Sequence, residues 1–404
     1  MCLQRFLIQA RATLSRYVPE RAAILGDNQR KLHIVIGNES CDLDSAVSAL
    51  TLAFIYAQRQ QEHDYVPVLN IPRIDYPLKT EVGHMFSKCG IAEQSLIFRD
   101  DLPPQLSSNC SVILVDHHIS KLAPHVVEIL DHRPLENNPA LQLLPTHCVR
   151  QIEAELGSCA TLVGERYLAM DEPRSSEVAK LLHATIVLDT INFSPGAKRF
   201  CARDVTMVEQ LERQLENVNA DNKEQRQLLF DELVAARADI SKLTLVEVLR
   251  KDMKLLQTER HTVPLAGLPM LARDFIDKNG AEQAIREFAA DSNLLLILGM
   301  YVPPNKAGQV QRDIALISLT GQTQLVECVR RALVDCQDPP LELAPHDVAS
   351  NFMGGCFLRQ HNLQGTRKHI LPVVKQALSQ WEASHQCDCD DVYFFKEKPK
   401  LGLS

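Results

Sequence analysis

The sequence predicts an α/β protein with a parallel sheet in an N-terminal domain and a second, smaller α/β domain. From residue 33 onward, short apolar segments alternate with polar loops and with segments of helical periodicity. The apolar segments are runs of consecutive Ile, Val and Leu, which are typical of parallel strands covered by helices on both faces. The helical segments repeat their apolar residues every three or four positions, as helices packed on such a sheet do.

The first element is a basic segment, residues 1–32, with six basic and two acidic side chains. Its apolar residues recur at a spacing that predicts an amphipathic helix; they are Leu3, Phe6, Leu7, Ala10, Leu14 and Tyr17. Two interpretations stay open: an Arg-rich mitochondrial transit peptide, or a basic helix packed on the first domain. The expected location is therefore cytoplasmic, with the mitochondrial matrix as the alternative.

The first domain is predicted over residues 33–215. Five apolar segments indicate its strands, at 33–36, 65–69, 95–98, 111–115 and 126–130. Three segments with a helical period indicate helices at 45–59, 160–168 and 177–188. Because the strands are expected to run parallel, their carboxyl ends should lie at one edge of the sheet.

The second half begins after a polar stretch, residues 216–228, which is predicted to be a linker because it has few apolar side chains. A second α/β domain is predicted over residues 229–385. Its helices are expected at 230–238, 246–255, 281–290 and 326–333, and its strands at 294–300 and 314–319. Residues 386–404 are predicted to form a charged tail.

Composition excludes several classes of protein. The 404 residues carry a formal charge of −8, which disfavours a protein that coats nucleic acid through a broad basic field. The longest apolar run, 294–302, has nine residues, whereas a membrane helix needs about 20. The 12 cysteines lack CxxC spacing, so neither a zinc ribbon nor a disulfide framework is indicated and the thiols are expected to be reduced and intracellular. We therefore expect no nucleic-acid partner and no membrane association.

Acidic side chains recur where the predicted strands and helices end. Asp42 and Asp44 follow the first strand, Asp116 and His132 follow two later strands, and Asp189 lies near the end of a helix. Ligands of open α/β sheets gather outside the carboxyl ends of the strands, so we expect these side chains to lie close together. Each acid alone is equally well explained as a helix cap or a surface residue. Their recurrence at successive element ends favours a shared site.

The residue types at these positions indicate the chemistry of the site. Carboxylates with one imidazole suit Mg²⁺ or Mn²⁺ better than zinc, which favours Cys and His. Four aspartates can hold two such ions, and a pair of divalent cations activates water and stabilises the leaving oxygen of a phosphoryl displacement. The residues therefore predict a phosphohydrolase that uses two divalent cations.

Five segments, in this order, resemble the DHH phosphoesterase superfamily, most closely the prune exopolyphosphatases, relatives of the family II inorganic pyrophosphatases. They are GNESCDLDS at 37–45, VDHH at 115–118, LDHR at 130–133, GSCAT at 157–161 and LDTINF at 188–193. In the second half, residues 238–252 resemble the start of the DHH-associated domain, and GTRKHILP at 365–372 resembles its basic signature. The resemblance implies an N-terminal metal-binding domain, a C-terminal domain that closes over the substrate, and an active site in the cleft between them.

The resemblance also implies roles for single acidic residues and one histidine. Asp42 resembles a ligand of the first metal, Asp44 resembles a ligand of the second, and Asp116 resembles the carboxylate that bridges both. His132 and Asp189 resemble the remaining ligands of the second metal. The ligand set is thus expected to come entirely from the first domain.

Three basic residues are implied to bind substrate phosphates: Arg133, Arg367 and Lys368. Arg133 stands where pyrophosphatases have a second His, and a guanidinium there can hold a phosphate through paired hydrogen bonds. With Asp116 and His132 it completes the implied catalytic set. Spacing alone favours a solvated surface pair for Arg367 and Lys368, and it is the resemblance that favours phosphate binding.

Four other polar residues near the motifs carry expectations of their own. Asn38 stands where pyrophosphatases have a His ligand. The first metal site is therefore expected to bind its ion more loosely and to accept Mg²⁺ readily. His117 and His118 are expected to orient Asp116. His183, on an apolar helix, is expected to be a core histidine with a hydrogen-bond partner.

Three activities remain open from the sequence. The resemblance implies release of terminal phosphate from short inorganic polyphosphate chains, with hydrolysis of 3′,5′-cyclic nucleotides such as cyclic AMP as a second activity. The alternative is a regulatory scaffold that binds nucleoside-diphosphate kinase and has little catalytic role. The presence of all four aspartates favours an enzyme.

Overall fold

The computed structural model describes residues 2–17, 30–171, 174–215, 222–302, 310–346 and 352–385. The chain divides into two units, Met1–Asp239 and Ile240–Ser404. The predicted tail, 386–404, lies outside the described residues, as do residues 18–29 of the predicted N-terminal segment and 216–221 of the predicted linker.

The first unit contains a five-stranded sheet in which every neighbouring pair of strands is parallel. The strands are β1 (Leu32–Ile36), β2 (Asp64–Val68), β3 (Cys110–Val115), β4 (Val126–Asp131) and β5 (Val149–Ile152). They lie in the order β2-β1-β3-β4-β5. The predicted parallel sheet of the first domain is confirmed.

Seven helices among the described residues belong to the first unit. They are α1 (Leu3–Leu14), α2 (Leu43–Arg59), α3 (Thr80–Lys88), α4 (Cys159–Leu168), α5 (Ser176–Asp189), α6 (Ala202–Gln214) and α7 (Asn222–Ala238). Residues 43–55 of α2 are all buried, and the helices and the sheet share one hydrophobic core. Short 3₁₀ turns lie at Arg73–Leu78, Glu93–Ser95, Arg99–Asp101, Ala123–His125 and Pro139–Leu143, and in the second unit at Phe352–Gly354.

Helix α1 packs on the first unit, as the second interpretation of the basic segment predicts. Its apolar face is buried, and the ring of Phe6 meets that of Phe54 edge-on at 5.5 Å between centroids. Arg11, from the polar side, pairs with Asp101 at 3.1 Å. The helical spacing read from the sequence is therefore the spacing of the buried face.

Two predicted elements differ from the structure, one in type and one in where it ends. Residues 95–98 are not a strand: a single bridge joins Leu69 to Phe98, and these apolar residues are buried by packing against the core. The predicted helix 246–255 ends at Lys251 and is followed by a strand. Strand β5 was not predicted, because this edge strand is half polar and Val149 is 60% exposed.

The predicted linker differs from the structure where residues are described. Helix α7 begins at Asn222, inside the stretch 216–228, and the division between units falls after Asp239. The helix is mostly polar because only a narrow stripe faces the core, with Leu233 fully buried and Leu229 and Phe230 packed beside it. A narrow stripe of this kind gives a composition that resembles a linker.

The second unit contains a six-stranded sheet in the order β10-β11-β9-β8-β7-β6. Its strands are β6 (Met253–Gln257), β7 (Thr262–Leu268), β8 (Leu294–Tyr301), β9 (Gln311–Ser318), β10 (Leu343–Pro345) and β11 (Cys356–Gln360). The pair β7–β8 is parallel and the other pairs are antiparallel. The predicted second α/β domain is thus a mixed sheet.

Helices cover both faces of this second sheet. They are α8 (Leu245–Lys251), α9 (Ala272–Ile276), α10 (Ala281–Phe288), α11 (Thr323–Val334) and α12 (Arg367–Ser384). Helices α11 and α12 share one core with the sheet, and α8, α9 and α10 share the other. None of the helices in the described ranges is long and apolar enough to cross a membrane. All ten cysteines of those ranges are free thiols.

Candidate active site

The order of the first sheet reverses between β1 and β3, because the chain passes from β1 to β2 on one side and then returns to β3 on the other. Ligands of open parallel sheets bind in the crevice outside the carboxyl ends of the strands at such a point. Asp42 and Asp44 follow β1, and Asp116 follows β3. Three of the predicted residues therefore flank this crevice.

Asp116 is buried and held in one orientation. Its backbone adopts a left-handed conformation, with φ of 59°, that is uncommon for a residue other than glycine. Ser45 Oγ donates to its Oδ2 at 2.6 Å, and Asn38 Nδ2 donates to the same atom at 2.8 Å. The other carboxylate oxygen, Oδ1, is left to face His132 and Arg133.

Asp44 is 3% exposed and lies at the N-terminus of α4. The backbone N–H groups of Cys159 and Ala160 donate to its two oxygens at 2.7 and 2.9 Å. Ser48 Oγ adds a bond of 3.0 Å from within α2. The free N–H groups and the dipole of a helix N-terminus favour a negative charge, so α4 both fixes Asp44 and partly stabilises its ionised form.

His132 completes a group of three potential ligands. Its Nδ1 lies 3.1 Å from the carbonyl oxygen of Leu156, which orients the ring, and its Nε2 lies 3.2 Å from Asp116 Oδ1 and 3.5 Å from Asp44 Oδ2. One donor atom from each of Asp44, Asp116 and His132 lies within 4.8 Å of the other two. This spacing can hold a metal ion, and a backbone bond on the second ring nitrogen is the usual way in which a metal-binding His is oriented.

Asp131 holds the loop that carries His132 and Arg133. It is fully buried, and its Oδ1 accepts the backbone N–H groups of both following residues, at 2.8 and 3.1 Å. Its Oδ2 accepts from Nδ1 of the buried His118, whose Nε2 in turn accepts the N–H of Glu136 at 3.1 Å. No role was expected of Asp131 from the sequence, although it directly precedes His132 and Arg133.

One cavity of about 380 Å³ is lined by all the predicted site residues of the first unit: Asp42, Asp44, Asp116, His132, Arg133 and Asp189. Asp42 caps α2 by accepting the N–H of Ser45 at 3.2 Å. Asp189 is the last residue of α5, and its Oδ2 is buried without a hydrogen-bond partner in the described part of the chain. A buried, unpartnered carboxylate oxygen beside three other carboxylates fits a site that binds cations.

The electrostatics of the cavity also fit a cation site. Burial and the neighbouring Asp116 raise the pKa of Asp42, and the same two causes raise the pKa of Asp44 to about 7. Burial, followed by the charges of Asp44 and Asp42, raises the pKa of Asp189 well above its usual range. Burial alone would lower the pKa of His132, but the hydrogen bond to Asp116 and the charge of Asp44 raise it to about 10. The acids repel one another, and a bound cation would remove that repulsion.

Arg133 reaches the same carboxylate as His132. Its Nε and Nη2 each lie 3.3 Å from Asp116 Oδ1, and 46% of its side chain is exposed. The guanidinium thus stands between the buried acid and the open side of the cavity. Arg367 and Lys368, the other predicted phosphate ligands, belong to the second unit, at the first turn of α12, where Arg367 pairs with Asp252 at 2.8 Å.

Two basic residues of the cavity were not identified from the sequence. Lys198 and Arg199 lie in the loop between α5 and α6 and line the same cavity. The sequence signal was the GAKRF segment, 196–200, that follows Asp189 within ten residues. No strand end precedes this segment, so the rule that ligands gather at the carboxyl ends of strands does not identify it.

The polar residues near the motifs contact partners other than those expected. Asn38 turns its amide nitrogen to Asp116, while its oxygen accepts the N–H of Ser40 at 2.8 Å, so the oxygen is occupied by its own loop. His117 Nδ1 bonds to the carbonyl oxygen of Val115 at 2.9 Å. His118 bonds to Asp131, the last residue of β4. Neither histidine therefore contacts the side chain of Asp116, which both were expected to orient.

His183 is the core histidine that the sequence predicts. It is 8% exposed, and its Nε2 lies 3.1 Å from Glu212 Oε1. A buried imidazole with a carboxylate partner needs no ligand to satisfy it.

The chain is similar to one domain family and to several known proteins. Residues 231–377 match the DHHA2 domain family. The chain is 35% identical to exopolyphosphatase PRUNE1 of Homo sapiens over 373 residues, which cover 89% of this chain and 78% of that protein. It is 34% identical to exopolyphosphatase PRUNE1 of Rattus norvegicus over 370 residues, with the same coverage. A solved structure, of an exopolyphosphatase-related protein from Bacteroides fragilis, is 15% identical with a TM-score of 0.39 and covers 88% of this chain and 93% of that one.

Proposed function

As this chain belongs to the prune exopolyphosphatase family, we propose that it is a metal-dependent phosphohydrolase that releases terminal phosphate from short inorganic polyphosphate chains. The observation that carries this proposal is the single cavity shared by four aspartates, His132 and Arg133. The relatives named exopolyphosphatase support the substrate class. The cavity supports the reaction class.

The proposed ligands of two divalent cations, Mg²⁺ or Mn²⁺, are Asp42, Asp44, Asp116, His132 and Asp189. Oxygen donors with one imidazole suit these hard ions. The raised pKa of three of the acids and the unpartnered oxygen of Asp189 are what such ions would relieve. When bound, divalent cations supply Lewis-acid stabilisation of phosphoryl oxygens and lower the pKa of water.

The protein's own side chains orient this set. Ser45 and Asn38 fix Asp116 through its Oδ2, so that Oδ1 is left to face His132 and Arg133. The N-terminus of α4 fixes Asp44. The bond from His132 Nδ1 to a backbone carbonyl leaves Nε2 as the nitrogen available for a ligand. Catalysis would then require little rearrangement of these groups.

Arg133, Arg367 and Lys368 are proposed to bind substrate phosphates. Arg133 sits beside Asp116 with nearly half of its side chain exposed, so its guanidinium is able to bond to a phosphate without leaving the cavity. Arg367 and Lys368 lie at the N-terminal turn of α12, where free backbone N–H groups also favour anions.

Cyclic nucleotides are the second candidate substrate class. A cyclic phosphodiester would meet the same cations and Arg133, and Phe200, among the residues that line the cavity, offers a ring to a base. The scaffold hypothesis, with nucleoside-diphosphate kinase as the partner, is the rival from another class. It predicts that loss of the acids leaves the biological role intact.

The test is phosphate release from tripolyphosphate, tetrapolyphosphate, pyrophosphate and cyclic AMP, each with Mg²⁺ and with Mn²⁺. We expect the polyphosphates to be turned over, and Asp116→Asn, which keeps the size of the side chain, to lower kcat/KM by at least about 100-fold, since even residues behind a metal ligand contribute 10- to 100-fold. Circular dichroism and a melting curve would check that the variant folds. Absence of turnover on every substrate, with kinase binding retained in Asp116→Asn, would support the scaffold instead.

A further inference from the structure

We propose that Lys198 and Arg199 form a phosphate-binding subsite at the open side of the cavity and that this subsite favours chains of three or more phosphates over pyrophosphate. This inference rests on the proposed function, because it names where the longer substrate extends. It concerns residues that neither the motifs nor the comparisons single out.

The two side chains are cations available to a ligand. Both are exposed, and both line the cavity that holds the acids. Within the described ranges, neither makes an ion pair or a hydrogen bond. Arg133, by contrast, has two of its nitrogens directed at Asp116. Among the residues that the structure describes, Lys198 and Arg199 therefore have no carboxylate partner to neutralise.

The loop that carries them is anchored at its C-terminal end by a buried carboxylate. Asp204 is fully buried, and its Oδ2 accepts the N–H of Cys201 at 2.8 Å and the N–H of Gly157 at 2.9 Å. Its Oδ1 accepts from Thr161 Oγ1 at 2.6 Å. One side chain thus ties the basic loop to the turn that begins α4, the helix whose N-terminus holds Asp44.

The same turn requires a glycine because the loop backbone packs directly on it. A Cβ atom on Gly157 would lie 2.3 Å from the carbonyl oxygen of Arg199, which no rearrangement of a flexible side chain would relieve. On the other side, the ring of Phe200 packs edge-on against Phe193 at 5.4 Å. Lys198 itself has φ of 50°, a left-handed conformation that sets the direction in which its Cα–Cβ bond leaves the loop.

These contacts indicate a built subsite, because a loop whose backbone is held at three points loses little backbone conformational entropy when its cations bind a ligand. Pyrophosphate has two phosphates, which the cations and Arg133 would already bind under the proposed function. Each added phosphate brings further negative charge and lengthens the chain. The contribution of Lys198 and Arg199 is therefore expected to begin at the third phosphate.

The experiment compares Lys198→Gln, Arg199→Gln and the double variant of the full chain on pyrophosphate, tripolyphosphate and tetrapolyphosphate at fixed Mg²⁺. We expect each single change to lower kcat/KM for the two longer chains by about tenfold and the double change by about 100-fold, as expected for charge-assisted hydrogen bonds. On pyrophosphate the loss should stay below about threefold. Lys180→Gln is the matched control, because Lys180 is an exposed cation of the same unit, about 13 Å along α5 from Asp189.

Binding provides a readout that does not depend on turnover. Calorimetry with the non-hydrolysable imidodiphosphate and diimidotriphosphate should show weaker binding of the longer analogue alone in the variants. An equal loss on pyrophosphate, an equal loss in Lys180→Gln, or no loss at all would overturn the inference. If the wild-type chain hydrolyses none of the substrates, the proposed function fails, and the subsite is then judged by the binding of the two analogues.

Discussion

Among single residues, Asp189 gives the most direct support for a cation site in the cavity. Its buried Oδ2 has no partner in the described part of the chain, and burial with the charges of Asp44 and Asp42 raises its pKa well above the usual range. A carboxyl whose pKa is raised on folding stabilises the folded state at low pH. That contribution is lost as the pH rises above the usual value of about 4.

We therefore expect Asp189→Asn to stabilise the metal-free protein at pH 8 by about 1–3 kcal/mol, because it replaces, without changing shape, a buried group whose raised pKa makes it costly to keep at that pH in either protonation state. The gain should shrink at pH 5, because this cost grows only as the pH rises above the usual carboxyl value of about 4. In the presence of Mn²⁺ the order should reverse, because saturating metal adds about 2.7 kcal/mol at 100 times Kd to a chain that binds it. Urea unfolding in EDTA and in Mn²⁺ at the two pH values measures all three effects.

The control for this prediction is Asp204→Asn. Asp204 is also a buried acid, but its oxygens accept three hydrogen bonds, and an amide nitrogen would face one of these donors. We expect a loss of about 1–3 kcal/mol with or without metal. If Asp189→Asn behaves in the same way as this control, the cavity is not a cation site.

His132 makes a second prediction for the cation site. Its pKa of about 10 means that the imidazole carries a proton at pH 8 in the metal-free protein, whereas a metal ligand must be deprotonated. Asp44, with a pKa of about 7, is mostly ionised at that pH. Binding of Mn²⁺ at pH 8 should therefore release at least about one proton.

Titration calorimetry in two buffers of different ionisation enthalpy counts the protons released. The apparent affinity for Mn²⁺ should also rise about tenfold for each pH unit between 7 and 9. Heat that is the same in both buffers, with an affinity that does not vary over this pH range, would show that His132 is not a ligand.

At the scale of elements, the sequence predicts the site better than it predicts the boundaries of the fold. Asp42, Asp44 and Asp116 follow strands, so the rule that ligands gather at carboxyl ends was enough to bring them together. Lys198 and Arg199 follow a helix, and what places them is the packing of their loop on Gly157, which involves residues about 40 positions apart in the chain. Contacts of that kind leave no local pattern.

The secondary-structure predictions failed for the same reason, because contacts between distant parts of the chain decided the outcome. Leu96 and Phe98 are as apolar as the residues of a buried strand, but they are buried by packing against the core and not by pairing with a neighbouring strand. Strand β5 is half polar because it is an edge, and α7 is mostly polar because it buries a narrow stripe. In each case tertiary context decided between interpretations that the local sequence leaves open.

Helix α1 gives a prediction about an element. Phe6 is 3% exposed and packs on Phe54, so Phe6→Ala should lower the free energy of unfolding by about 3–5 kcal/mol. Ile8, on the same helix, is 56% exposed, and Ile8→Ala should change it by less than about 0.5 kcal/mol. Equilibrium urea unfolding of the full chain measures both. Similar values for the two variants would mean that α1 does not belong to the folded first unit.

Across the whole chain, the proposed metal ligands and the proposed phosphate ligands are distributed differently over the two units. The proposed metal ligands all lie in Met1–Asp239, whereas two of the proposed phosphate ligands, Arg367 and Lys368, lie in Ile240–Ser404. The hydrophobic core of the first unit is also separate from the two cores of the second. Residues 1–239 should therefore fold alone and keep the cation site.

We expect this fragment to be stabilised by Mn²⁺ about as much as the full chain, since stabilisation depends on the ligands alone. Its kcat/KM on tripolyphosphate should fall by at least about 100-fold, because two charged phosphate ligands are missing and each is expected to contribute about tenfold. The full chain carrying Arg367→Gln and Lys368→Gln should reproduce that fall while keeping the Mn²⁺ effect, which separates loss of these two charges from loss of the unit. A fragment that hydrolyses tripolyphosphate as well as the full chain does would place the whole reaction in the first unit and remove the second from the mechanism.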